Sequence, residues 1–82
     1  MTVSRAPVPN EPRPARVHAR GGVPVVVARE RVEAVLEDWL VEDRWWTEQP
    51  IRRRYWEVVT VGGQDVVVFH DLLTGGWFRQ AA

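Results

Sequence analysis

The ten residues Arg31-Val-Glu-Ala-Val-Leu-Glu-Asp-Trp-Leu40, RVEAVLEDWL, decide whether this chain is all-β or mixed. Val32, Val35, Leu36, Trp39 and Leu40 recur at i, i+3, i+4, i+7 and i+8, the apolar stripe of an amphipathic helix. Read as a strand, the segment puts Val32, Ala34, Leu36 and Leu40 on one face, and Asp38 breaks that face. Periodicity alone therefore favours a helix over about 31–41. Composition pulls the other way, because the chain holds sixteen valines, whose β-branching suits strands better than helices.

On the C-terminal side the pattern is plainer. Arg53–Val61 alternates as a strand, with Trp56, Val58 and Thr60 on one face and Tyr55, Glu57, Val59 and Val61 on the other. Gly62-Gly63 is the glycine pair that a tight hairpin turn favours. Gln64–His70 is the return strand, and Asp71-Leu-Leu-Thr-Gly-Gly76 a second turn. There the Asp71 carboxylate can accept amide hydrogens two residues on, and a glycine supplies the left-handed position. Trp77–Gln80 is a last short strand, which completes a three-stranded meander.

On the N-terminal side, Val23–Ala28 reads as a short strand, with Pro24 tolerable near its start or at a sheet edge. Gly21-Gly22 marks the expected domain edge, so residues 21–82 form one small domain. Residues 1–20 hold Pro7, Pro9, Pro12 and Pro14 and no hydrophobic period, which predicts a flexible tail. The formal net charge of zero hides an asymmetry. The tail carries four arginines against Glu11, whereas residues 21–82 carry seven arginines against ten acids. A mildly acidic folded part argues against a dedicated nucleic-acid groove.

A chain of 82 residues buries only about 60% of its unfolded surface, so large apolar side chains must supply its core. Five tryptophans suit that need, each aromatic removing roughly 150–250 Å² from water. Without cysteine there is no disulfide framework and no thiolate zinc site. His18 and His70 lack metal-ligand spacing, so neither metal nor cofactor is expected. No apolar run approaches the roughly 20 residues of a membrane span, and no apolar leader is apparent, which points to a cytoplasmic protein.

Catalysis finds no footing. Ser4 is the only serine and lies in the tail. His70 and Asp71 point to opposite faces of a strand, and neither glycine pair has phosphate-loop spacing. Gln64–Phe69 superficially resembles Gln-led sliding-clamp peptides, but it directly follows a hairpin turn and reads as strand.

The richest stretch is Arg44–Trp56, RWWTEQPIRRRYW. Trp45, Trp46, Tyr55 and Trp56 beside Arg52, Arg53 and Arg54 have the chemistry of a base-stacking platform. The competing demand is core packing, which takes precedence in so small a domain. Side chains alternate in a strand, so one of Trp45 and Trp46 is expected inside and the other outside. Trp56 and Trp77 are expected in the core. The candidate partner contacts are Trp45, Trp46, Arg52, Arg53, Arg54 and Tyr55.

The order Trp39 … Glu42-Asp-Arg-Trp-Trp46 … Arg53-Arg-Tyr-Trp-Glu-Val58 … Val68-Phe-His-Asp-Leu72 … Thr74-Gly-Gly-Trp-Phe78 resembles a small bacterial family of unassigned function. It is also similar to the C-terminal segment of ImuB-type proteins, homologues of Y-family polymerases without polymerase activity. The match spans roughly residues 23–80. It departs at His70 and Gly76, where arginine is usual, and at Arg79, where an apolar residue is common. In the ImuB-like segments the counterpart of 30–41 is strand-like, which turns the choice for 31–41 to a strand. The resemblance thus implies an all-β domain, a five-stranded antiparallel SH3-like roll or partly open barrel. The alternative is α+β, a three-stranded meander with one helix at 31–41. It further implies a non-catalytic accessory module of mutagenic translesion DNA synthesis, with an ImuB-like protein or an error-prone polymerase as partner. A nucleic-acid-binding module built on 44–56 is the alternative function.

Overall fold

The computed structural model describes residues 12–80, all antiparallel strands and connecting turns. The strands are β1 (Arg13–Pro14), β2 (Val17–Arg20), β3 (Val23–Val27), β4 (Glu30–Asp43), β5 (Ile51–Thr60), β6 (Asp65–Asp71) and β7 (Trp77–Gln80). The ambiguous segment 31–40 is strand throughout. Its helical stripe yields because β4 lies in register against β5 from Val32↔Thr60 to Asp43↔Ile51, and that ladder satisfies its backbone. Two register shifts, between Val32 and Ala34 and between Val35 and Glu37, insert extra residues. These bulges explain why the segment breaks strict alternation although it is strand.

The strand count exceeds the expected five. All seven strands form one sheet in the order β1-β7-β6-β5-β4-β3-β2. β1 and β2 come from the stretch expected as flexible tail, and Gly21-Gly22 is the β2–β3 hairpin turn rather than a domain edge. Both glycines have positive φ, 59° and 83°, the backbone that a two-residue hairpin turn demands. Residues 1–11 lie outside the described residues.

Only Ala15 and Arg16 separate β1 from β2, yet these strands occupy opposite ends of the sheet order. Ala15 N–H donates to the Trp77 carbonyl, and Ala28 N–H donates to the Arg16 carbonyl. So short a link reaches both ends only if the sheet curls into a half-barrel.

The concave face holds the core. Val27, Val58, Val66 and Val68 are buried there, with Val17, Val32, Trp56 and Trp77 packed against them. Trp56 and Trp77 are thus half-buried flanks, while valines occupy the centre. The face expected for Trp56, Val58 and Thr60 is the one observed. Thr60 is the buried polar residue: its hydroxyl donates to Glu30 Oε1 at 3.2 Å and accepts from Gln64 N–H at 3.3 Å.

The convex face carries an aromatic row. Trp39, Tyr55, Phe69 and Phe78 are directly opposed on β4, β5, β6 and β7. Their centroids are 5.3, 4.9 and 5.2 Å apart in turn. Phe69 is buried on this outer face because the Arg53 guanidinium covers its ring at 4.5 Å. The β6–β7 turn is as expected: Asp71 Oδ1 accepts from the amides of Leu73 and Thr74, and Gly75 has φ 84°.

Candidate interaction surface

The tip of the β4–β5 hairpin is built from Arg44 to Pro50. The Asp43 carboxylate accepts from Arg44 N–H, and Arg44 takes a positive φ of 54° that turns the chain out of β4. The Arg44 carbonyl then accepts from both the amide and the hydroxyl of Thr47, and the Thr47 hydroxyl accepts from Gln49 N–H. Pro50 offers no amide and precedes β5.

This small hydrogen-bonded loop leaves Trp45 and Trp46 outside, 77% and 66% exposed, edge-to-face at 5.5 Å. The expectation that one of the pair is buried therefore fails. It assumed extended backbone, and a turn does not send consecutive side chains to opposite faces of a sheet. Together the two exposed indoles form an apolar patch at the hairpin tip.

The remaining candidates divide between two faces. Arg52 and Arg54 project on the concave side, where Arg52 pairs with Glu42 at 3.1 Å and Arg54 pairs with Asp38. Arg54 also lies over the Trp56 ring at 5.6 Å. Arg53 and Tyr55 lie on the convex side, in contact with one another and with Phe69. The fold therefore brings Trp45 and Trp46 together, brings Arg53 and Tyr55 together, and separates both pairs from Arg52 and Arg54. With two of the three consecutive arginines facing carboxylates, the stretch is not a continuous phosphate-tracking groove.

The acids of β4 are the contributors that motif reading passed over. Their signal was present, since a hairpin centred on 44–50 sets Glu42 opposite Arg52 and Asp38 diagonal to Arg54. Glu57 holds a second electrostatic feature. A hydrogen bond shared with the Asp65 carboxylate, and the charges of Asp65 and Glu37, raise its pKa above the ordinary 4.5. Among the described residues no group of three or more His, Asp and Glu is placed to hold a metal, and no helix is long and apolar enough to cross a membrane.

Compared with known proteins, the chain matches no family model, no curated protein and no solved structure.

Proposed function

We propose that the protein is a non-catalytic interaction module that engages a protein partner through the tip of the β4–β5 hairpin. The observation that carries this reading is the exposed Trp45–Trp46 pair, held on a loop by its own hydrogen bonds. A rigid exposed aromatic loses little entropy on binding and is a frequent interface anchor. Together with the motif resemblance, this supports a cytoplasmic accessory role in mutagenic translesion synthesis, with an ImuB-like protein or an error-prone polymerase as partner. In this reading the half-barrel is a variant of the SH3-like roll, enlarged by two short edge strands.

Titration of the protein against a purified ImuB-like protein and against an error-prone polymerase, followed by calorimetry, tests the reading. Binding to one of them is expected, abolished by the double substitution Trp45→Ala, Trp46→Ala with the thermal midpoint unchanged. Binding instead to single-stranded DNA, weakening by about one log unit per log of salt for each phosphate neutralised, would transfer the site to nucleic acid.

A further inference from the structure

We infer that the free edge of β4, from Glu37 to Asp43, is a strand-addition site for an extended basic segment of a partner protein. β5 occupies one side of β4 as far as Asp43, whereas β3 pairs with the other side only at Glu30 and Arg31. Among the described residues, no strand pairs with this side of β4 beyond Arg31.

The edge has two halves of different character. Extra residues at Glu33 and Leu36 distort the first half, and such bulges blunt an edge against pairing. From Glu37 onward β4 matches β5 residue for residue, so its outward amides and carbonyls form a regular row. That half is a competent template for one more strand.

Charge selects the occupant. Antiparallel pairing of two copies about Leu40 would set Glu37 against Asp43 and Asp38 against Glu42, acid on acid at every charged position. Asp38 and Glu42 already hold arginines, but Glu37 and Asp43 on the convex side form no ion pair among the described residues. Glu37 lies instead opposite another acid, Glu57. A strand with basic side chains on the convex side meets unspent negative charge there.

The concave side supplies specificity. Leu40, 42% exposed, lines a cleft of about 380 Å³ together with Gly21, Gly22, Trp56 and Leu72. An added strand directs alternate side chains toward this cleft, where β-branched groups meet the exposed side chain of Leu40. The site is thus for alternating basic and β-branched residues, and it stands independently of the tryptophan tip.

The test uses a labelled heptapeptide, Arg-Val-Lys-Thr-Arg-Val-Lys, followed by fluorescence anisotropy and by amide hydrogen exchange on the full chain. Saturable binding is expected, with slowed exchange confined to residues 37–43 and on the order of tenfold preference over the peptide with Glu at every basic position. The same peptide N-methylated at alternate residues should bind in the phase that turns its methyl groups away from β4 and fail in the other phase, which lacks the backbone donors of the ladder. Glu37→Lys combined with Asp43→Asn should weaken binding, and Trp45→Ala with Trp46→Ala should leave it intact. No binding, equal binding of the acidic peptide, equal binding of the two N-methylated phases, or protection elsewhere would overturn the proposal. A dimer of the free protein with protection on 37–43 would assign the edge to a second copy and overturn it as well.

Discussion

At the scale of single residues, tryptophans at four positions do different work although their chemistry is the same. Trp56 and Trp77 cover the valine core, so truncation leaves a void that the curled sheet cannot close. Trp56→Ala is expected to cost about 3 kcal/mol, the low end for a large aromatic because the ring is half-buried. Trp45→Ala and Trp46→Ala should each stay within about 0.5 kcal/mol of the parent, as surface substitutions do. Urea titration of the three variants checks both expectations. Glu57 gives a second prediction at this scale. Its raised pKa means that the folded state holds the proton more tightly than the unfolded chain. The associated stability is present below the ordinary value of 4.5 and is lost as pH rises through the raised value. Glu57→Gln should therefore raise the thermal midpoint at neutral pH, and the gain should vanish in melts carried out below pH 4.5.

At the scale of elements, the β3–β4 turn is the weakest local fit. Ala28 and Arg29 both hold positive φ, 49° and 71°, which side chains other than glycine and asparagine adopt at a cost. A two-residue turn of this hand prefers Asn-Gly. Ala28→Asn with Arg29→Gly is expected to stabilise the protein by about 1 kcal/mol, read from the urea midpoint at constant slope. The β5–β6 turn behaves oppositely, since Thr60 joins Glu30 and Gln64 beneath it. Thr60→Val keeps the volume but strands those partners, and a loss of about 1–3 kcal/mol is expected in the same assay.

At the scale of the whole molecule, closure of the sheet depends on residues 13–20. β1 pairs with β7, β2 pairs with β3, and Val17 packs on the core. Removal of residues 1–19 takes away both short strands and unpairs the far sides of β3 and β7. The thermal midpoint should drop by well over the roughly 4–8 °C that each lost kcal/mol brings in a domain of this size. An unchanged midpoint would show that β3–β7 are self-sufficient and that the terminal strands add no stability.

Local chemistry in the sequence determined the meander from Arg53 to Gln80, its alternating faces and the Asp71 turn, because those features depend on neighbours a few residues apart. The acid–arginine spacing across 38–54 was equally present there, although it acquires meaning only once a hairpin aligns the two stretches. Whether 31–40 is helix or strand was not decided by its own periodicity. β5 decided it, by offering a ladder to a segment whose bulges disguise its alternation. Tertiary structure alone also recruited residues 13–20, since they bury little by themselves and gain order only against β3 and β7. The same holds for the division of Arg52, Arg53 and Arg54 between two faces and for the exposure of both Trp45 and Trp46. Composition names the groups available for binding, but only a sheet, with its faces, edges and turns, determines which of them share one surface.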